Sequence, residues 1–216
     1  MDFIFYAHYI SLKPTQFTTI MKRIIAVFDF DGTLTTKDTF LEFIRFTHGS
    51  IKLYMGLAFY SPILLLMKLH LYPNWKAKEK LFCFFYKYWY YSDFQEKGIQ
   101  FSKMIEMCKK DSTVQTLKEH LNKGHSVYVV SASIEEWVKP WCEHLHVSGV
   151  IGTKIEVDNK GIITGHLLSK NCYGQEKVNR FLLQEPNRRE YFLYAYGDSK
   201  GDKQMITFAD EGKWIN

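Results

Sequence analysis

Cysteine is scarce in this chain of 216 residues, and the cysteines that occur form no recognisable pattern. Zinc sites and disulfide frameworks both depend on closely spaced pairs such as CxxC. The positions of Cys83, Cys108, Cys142 and Cys172 include no such pair. We therefore exclude a zinc module and a disulfide-stapled domain, and we expect free thiols in a reducing, cytoplasmic compartment.

Residues 1–20 lack the features of a secretory signal peptide, because they have no basic n-region and no small-residue cleavage site. The first strand pattern begins only after Met21. We therefore expect residues 1–20 to be an N-terminal extension that lies upstream of the true start of the working protein.

The apolar run Leu53–Met67 is too short to span a bilayer. It has 15 residues without a charge between Lys52 and Lys68, whereas a spanning helix needs about 20. Pro62 also interrupts it. Two interpretations stay open: a buried helical hairpin, or an interfacial segment whose flanking lysines reach the headgroups.

Acidic residues are too few to balance the basic ones, and the net charge is +5. Residues 35–120 contain 13 Lys and Arg against 8 Asp and Glu, so this segment accounts for the whole excess. The excess favours an anionic partner such as a substrate or a membrane surface, although an ordinary solvated surface explains it equally well. The aromatic run at 81–91 indicates either a packed core or an acyl-binding surface. We expect no nucleic-acid partner.

Three apolar runs predict buried strands, at 23–30, 126–133 and 191–199. Apolar residues at helical spacing predict helices at 134–146, 175–184 and 202–209. Buried strands that alternate with helices are typical of a parallel α/β sheet with right-handed crossovers, which is a Rossmann-like core. The segment 150–168 predicts a β-hairpin that turns at Asn159–Gly161.

About 95 residues separate the first two predicted strands, far more than a crossover connection needs. Apolar residues recur at helical spacing through this interval. We therefore predict an inserted α-helical cap at 36–115, above a core made of 21–35 and 116–216.

Polar side chains follow or end each predicted strand. Because open α/β sheets bind ligands at the carboxyl ends of their strands, we expect these side chains to converge. They are Asp29, Asp31, Ser131, Asp198 and Asp202. Several carboxylates at one edge repel each other, and a hard cation such as Mg²⁺ removes that conflict.

Lys177 begins a predicted helix, where a cation opposes the helix dipole unless an anion lies nearby. Ser133 and Glu136 predict a capping box at the start of the helix after Ser131, and free N–H groups there favour phosphate. These groups indicate phosphoryl transfer, in which one aspartate attacks phosphorus and the other exchanges protons with the leaving group and with water.

The set of motifs resembles the phosphatases of the haloacid dehalogenase superfamily. The motifs, in order, are "DFDGT" at 29–33, Ser131 in "VVSAS", Lys177 in "GQEKV" and "GDSKGD" at 197–202. The resemblance implies that Asp29 is the nucleophile and Asp31 the acid/base. It further implies a Mg²⁺ ion held by Asp29, the Asp31 carbonyl and Asp198, a phosphoryl group bound by Ser131, Lys177, Gly32 and Thr33, and Asp202 either supporting the metal or orienting Lys177.

The position of the cap is similar to that in the phosphoserine-phosphatase-like subgroup. The sequence departs from phosphoserine phosphatases in Ser131-Ala132-Ser133, where they have Ser-Gly-Gly, and in "GDSKGD", where they have GDGxND. "DTFLEFIRF", "GQEKV" and "YGDSKGD" resemble phosphatidylglycerophosphatase C-type enzymes more closely. This implies a lipid phosphate substrate and peripheral contact with the inner face of the membrane. The alternatives are a soluble phosphomonoester such as phosphoserine, or a catalytically silent phosphate-binding or membrane-associated protein.

Overall fold

The computed structural model describes residues 22–168 and 170–216, and it contains a five-stranded parallel sheet and a separate antiparallel pair. The strands are β1 (Arg23–Phe28), β2 (Ser126–Ile134), β3 (Gly149–Thr153), β4 (Ile155–Val157), β5 (Ile163–Leu167), β6 (Tyr191–Gly197) and β7 (Glu211–Trp214). The parallel sheet has the order β3–β2–β1–β6–β7, and β4 pairs with β5.

Helices flank the sheet and fill the interval between β1 and β2. They are α1 (Thr39–Phe59), α2 (Ser61–Lys68), α3 (Asn74–Tyr86), α4 (Tyr91–Ile105), α5 (Asp111–Asn122), α6 (Glu135–Glu143), α7 (Gln175–Gln184) and α8 (Lys203–Phe208). The predicted fold class, an α/β Rossmann-like sheet with inserted helices, is confirmed.

The central strand β1 is buried on both faces of the sheet. Ala26 and Phe28 belong to a core shared with the inserted helices, whereas Ile25 and Val27 belong to a second core beneath α7 and α8. A strand covered on both sides has a continuous apolar sequence rather than an alternating one. Because β1 lies between β2 and β6, the residues after Phe28 emerge at the middle of the carboxyl edge.

Several predicted elements differ from the structure. The segment 150–168 is not one hairpin, because Gly149–Thr153 joins the parallel sheet beside β2 and only β4 and β5 form the antiparallel pair. The helix predicted to end at 146 ends at Glu143 and passes into a tight turn, in which the Leu145 amide donates to the Cys142 carbonyl and His146 has φ 54°. Strand β1 stops at Phe28, before the polar residues that follow it.

The inserted helices share an aromatic core with α6. The Phe43 ring of α1 stacks on Trp137 of α6 at 4.5 Å and lies 5.2 Å from Phe94 of α4. Helix α4 approaches α6 closely because Gly98 has no side chain, and a Cβ there would lie 2.5 Å from the Glu136 carbonyl oxygen. These contacts hold the inserted helices against the carboxyl edge.

The aromatic run at 81–91 mainly forms this core, as one of the two interpretations expected. Phe82, Phe85 and Tyr86 are buried, whereas Phe84 and Tyr88 are exposed.

The predicted domain boundaries stay a proposal. Residue 115 falls inside α5, which packs on β1 and β2. The predicted N-terminal extension lies outside the described residues.

Helix α1 is interrupted at Gly49, which has φ 82° and ψ 161°. Its second half continues to Tyr60, where the chain bends by 65° into α2. Within residues 22–168 and 170–216 no single helix is long and apolar enough to cross a membrane, although α1 and α2 together meet that criterion as a bent pair.

The buried His120 predicts a pH-dependent stability. Its Nε2 lies 2.9 Å from the Tyr196 hydroxyl, and its Nδ1 lies 2.8 Å from Nδ1 of His125. Burial, together with the charge of His125, lowers the pKa of His120 to about 4. The neutral ring therefore stabilises the fold above the unfolded pKa of about 6.5, and this contribution is lost as the pH falls toward 4.

We expect wild type to lose on the order of 1 kcal/mol more unfolding free energy than His120→Gln between about pH 7 and pH 5. Urea denaturation at both pH values measures the difference, and the other titrating groups are common to both proteins. Equal losses in the two proteins would contradict this role of His120.

Candidate active site

The carboxyl edge of the sheet brings the predicted site residues together around one cavity of about 730 Å³. Asp29 and Asp31 follow β1, Ser131 lies within β2, and Asp198 follows β6. Lys177 reaches the same cavity from the first turn of α7. Gly32 also lines the cavity, whereas Thr33 and Asp202 are buried behind it.

Lys177 lies between two aspartates. Its Nζ donates to Oδ1 of Asp29 and to Oδ1 of Asp202, each at 2.5 Å, and all three residues are buried. Burial opposes the charge of Lys177, but the two carboxylates outweigh it and raise its pKa. Burial raises the pKa of Asp29 to about 7, although the charge of Lys177 acts in the opposite direction.

Asp202 is itself held by the loop before it. Its Oδ2 accepts hydrogen bonds from the Ser199 amide at 2.9 Å and the Ser199 hydroxyl at 2.8 Å. Because its other oxygen accepts from Lys177, both carboxylate oxygens are engaged. Of the two roles expected for Asp202, this geometry favours the orientation of Lys177.

Asp31 has a different environment, made of neutral donors. Its Oδ1 accepts from the Thr39 amide at 3.0 Å and the Thr39 hydroxyl at 2.6 Å, and its Oδ2 accepts from the Ser133 hydroxyl. Trp137 Nε1 donates to the Thr39 hydroxyl at 3.1 Å.

Burial, followed by the charge of Asp38, raises the pKa of Asp31 to about 6. The pKa of Asp29 is raised at least as far, so the pKa values do not decide which of the two carboxyl groups holds a proton. The cation Lys177 beside Asp29 and the neutral donors around Asp31 favour Asp31 as the protonated group.

The predicted capping box at Ser133 and Glu136 is wrong. Strand β2 continues to Ile134, which is the N-cap of α6 and provides no side-chain hydrogen bond. The Ser133 hydroxyl instead donates to Asp31, and the Ser133 amide donates to Oγ of Ser131 at 2.9 Å. The local sequence pattern gave the wrong prediction because the Ser133 hydroxyl bonds to Asp31, which is distant in sequence, and does not cap the helix.

Three carboxylates could hold a metal ion. Asp29, Asp198 and Asp202 each offer an oxygen, and these atoms lie within 4.8 Å of one another. A glycine is needed at Gly32, with φ 82°, because a Cβ there would lie 2.2 Å from Oδ2 of Asp198. Thr33 Oγ1 donates to Oδ1 of Asp198 at 2.8 Å and fixes its position.

This donor set fits Mg²⁺, which prefers a small number of carboxylate oxygens. Two of the predicted ligands, Asp29 and Asp198, belong to the cluster. Because both oxygens of Asp202 already accept hydrogen bonds, Asp29 and Asp198 are the carboxylates better placed to hold the ion.

The inserted helices form the apolar wall of the cavity. The apolar residues that line it include Phe40, Leu41, Leu57, Leu64, Met67, Ala77 and Leu81. Three lysines also line this side of the cavity, Lys37, Lys68 and Lys78. Lys37 and Lys68 are exposed, whereas Lys78 of α3 is half-buried and its Nζ donates to the Ala132 carbonyl at 2.7 Å.

Sequence reasoning missed Lys78, Thr39 and Ser133. For Lys78 the sequence contains a usable pattern, because Asn74, Lys78 and Leu81 recur at helical spacing and therefore share one face of α3, the face that lines the cavity. For Thr39 and Ser133 the sequence gives no local signal, since both contact Asp31 across the fold.

The model for the haloacid dehalogenase-like hydrolase family matches residues 26–207. Protein CicA of Caulobacter vibrioides is 29% identical over 198 residues, which cover 87% of this chain and 84% of that protein.

Two solved structures share the fold. A protein of unknown function from Bordetella pertussis Tohama I superposes with a TM-score of 0.74 at 18% identity, covering 88% of each chain. A substrate-bound phosphoserine phosphatase superposes with a TM-score of 0.60 at 21% identity, covering 88% of this chain and 84% of that one. Since the family model spans most of the chain and includes every residue of the site, this protein belongs to the haloacid dehalogenase-like hydrolase family.

Proposed function

We propose that this protein is a Mg²⁺-dependent phosphomonoester hydrolase that acts through an aspartyl-phosphate on Asp29. The observation that carries the proposal is the contrast between two neighbouring carboxyl groups. Asp29 is paired with the cation Lys177, whereas Asp31 is surrounded by the neutral donors Thr39 and Ser133. Paired carboxyl groups in contrasting environments are suited to separate roles, one as nucleophile and one as acid/base.

In the first step an oxygen of Asp29 bonds to phosphorus while the ester P–O bond breaks, and Asp31 gives its proton to the departing alkoxide. In the second step Asp31 takes a proton from water, whose oxygen attacks phosphorus. The acyl phosphate bond then breaks, and inorganic phosphate leaves with Asp29 restored. Both carboxyl groups therefore return to their starting protonation states.

The remaining groups bind the phosphoryl oxygens. Lys177, Ser131 and Gly32 line the cavity beside Asp29, whereas the Thr33 amide already donates to the Phe30 carbonyl at 3.3 Å. Mg²⁺, when held by Asp29, the Asp31 carbonyl and Asp198, would neutralise charge on the transferring group. A catalytically silent protein is disfavoured because every group that this chemistry requires is present.

The apolar wall of the cavity favours a lipid phosphate, such as phosphatidylglycerophosphate, as the substrate. A small polar phosphomonoester such as phosphoserine is the alternative. It would leave the side chains of Leu57, Leu64 and Met67 without an apolar partner. Burying an apolar substrate group against such residues contributes about 25 cal/mol per Å².

The solvent-facing side of the same helices, which we name the outer cap face, is apolar, and this supports a lipid substrate. Its large apolar side chains are exposed; they are Ile51, Tyr54, Met55, Phe59, Leu65, Leu66, Leu69 and Leu71. Contiguous apolar patches of this kind mark interaction sites on protein surfaces.

The charge around the outer cap face favours an anionic membrane, rather than another protein, as its binding partner. Residues 43–78 contain no Asp or Glu. Arg45 is paired with Glu42 at 3.0 Å, whereas Lys52, Lys68 and Lys76 are exposed. Each such cation near an anionic bilayer contributes about 1 kcal/mol. Helices α1 and α2 thus carry the exposed face on one side and line the active-site cavity with Leu57 and Leu64 on the other. We propose that the protein binds peripherally to the inner face of a membrane through this face.

Asp29→Asn is expected to reduce turnover by at least about 1,000-fold, because an amide is a poor nucleophile toward phosphorus. Phosphate release from a phosphomonoester in the presence of Mg²⁺ measures the loss. Asp93→Asn, an exposed aspartate on α4, is the matched control and should retain activity. Near-wild-type turnover by Asp29→Asn would disprove the assignment of the nucleophile.

Asp31→Asn is expected to slow the hydrolysis of alkyl phosphates at least about tenfold more than the hydrolysis of nitrophenyl phosphate. An alkoxide needs a proton to leave, whereas nitrophenolate is stable without one. The comparison of kcat/KM for the two substrates in wild type and variant measures this. If both substrates slow by the same factor, Asp31 does not act as the general acid.

Ile51→Ser combined with Met55→Ser is expected to weaken binding to anionic vesicles at least about tenfold, because both side chains are exposed one turn apart on α1. Co-sedimentation with phosphatidylglycerol vesicles at low and high salt measures the binding. Leu183→Ser on α7 removes an equally exposed leucine outside the cap and should bind as wild type does. Equal binding by all three proteins would argue against the outer cap face.

A further inference from the structure

Three lysines that the proposed phosphoryl chemistry does not use line the active-site cavity, and they are Lys37, Lys68 and Lys78. Lys37 and Lys68 are exposed, and Lys37 lies 3.8 Å from Glu42, whereas Lys78 is half-buried.

Lys78 lies on the inner face of α3, where Asn74, Ala77 and Leu81 line the cavity beside it. The neighbouring Lys80 on the same helix is exposed and does not line the cavity. A lysine on the buried face of an amphipathic helix has a desolvation cost, which an anion in the cavity would offset.

The ammonium group of Lys78 is only partly satisfied by the protein. It has three N–H donors, and one of them reaches the Ala132 carbonyl oxygen. Among the described residues no carboxylate lies within 4.0 Å of its Nζ, and the charges of Asp38 and Asp31 act on it only through space. Burial lowers its pKa, as expected for a cation without a close counter-ion.

Lys78 and Lys177 reach the cavity from different parts of the fold, although the charges of Asp31 and Asp29 act on Lys78 as well. Lys177 serves that group from the core, next to Asp29, and Ser131 precedes the residue whose carbonyl Lys78 contacts. Lys78 comes from the opposite, inserted side of the cavity, and Phe40 packs under its ammonium group at 5.0 Å from the ring centroid. It therefore stands where the alcohol portion of a bound phosphate ester would lie.

We propose that Lys78 is a specificity-determining residue that binds a second anionic group on the substrate, a carboxylate or a phosphodiester, in addition to the phosphoryl group that is transferred. This inference rests on the proposed phosphatase function and narrows its substrate class. Phosphate esters with a second anion near the scissile group are preferred over esters of neutral alcohols.

Matched substrates test the proposal. Glycerol 3-phosphate has no second anion, 3-phosphoglycerate adds a carboxylate, and glycerophosphoglycerophosphate adds a phosphodiester. We expect wild type to prefer one or both of the latter in kcat/KM, and the stronger preference identifies the anion. Lys78→Met should reduce that preference at least about tenfold, and Lys78→Arg should restore most of it. Lys80→Met is the control and should keep the wild-type preference.

A uniform loss on all three substrates would overturn the proposal, because Lys78 would then act on the transferred phosphoryl group or on the fold. An unchanged preference in Lys78→Met would overturn it as well.

A binding measurement separates this inference from the phosphatase function. Calorimetry with glycerophosphoglycerol, which has a phosphodiester and no scissile phosphate, and with glycerate should show binding of at least one by wild type and at least about tenfold weaker binding by Lys78→Met. Binding without any phosphatase activity would refute the proposed function and leave the anion site standing. Turnover of phosphomonoesters without binding of either ligand would refute the anion site alone.

Discussion

The ion pair of Lys177 with Asp29 and Asp202 is the interaction on which the carboxyl edge of the sheet depends. A charge buried without a partner costs several kcal/mol, so each member of this triad requires the other two. The triad joins the end of β1, the start of α7 and the loop after β6, which are distant in sequence. The loop in turn contributes Ser199, which fixes Asp202. The geometry of the candidate site and the local stability thus rest on the same contacts.

A second set of contacts ties the inserted helices to this edge. Thr39 at the start of α1 donates to Asp31, and Trp137 of α6 donates to Thr39 while its ring stacks on Phe43. The same tryptophan therefore supports a polar network and an aromatic core. Because Asp31 receives its neutral donors partly from α1, its electrostatic environment is completed only when the inserted helices are packed in place.

The sequence was sufficient for three strands of the sheet, β1, β2 and β6, and for the group of residues around the cavity, because both depend on short patterns. It did not predict β7. A buried strand that ends in Asp29 and Asp31 is readable from a few residues, and parallel topology brings such ends together. The pairing of β3 with β2 could not be predicted, because the apolar pattern at 150–168 indicates a strand but not its neighbour in the sheet. Roles that depend on partners far along the chain, such as that of Ser133, were equally out of reach.

The interruption of α1 at Gly49 has a mechanical consequence. The first half of this helix begins at Thr39, which holds Asp31, and the second half carries Ile51 and Met55 on the outer cap face. A continuous helix is stiff and would convert any tilt at one end into a displacement at the other. The glycine has a left-handed backbone and open space around the position of a Cβ, so it serves the bend and not the packing. The two halves therefore do not form one straight rod, so a tilt of the exposed half need not displace Thr39 and Asp31 by the same amount.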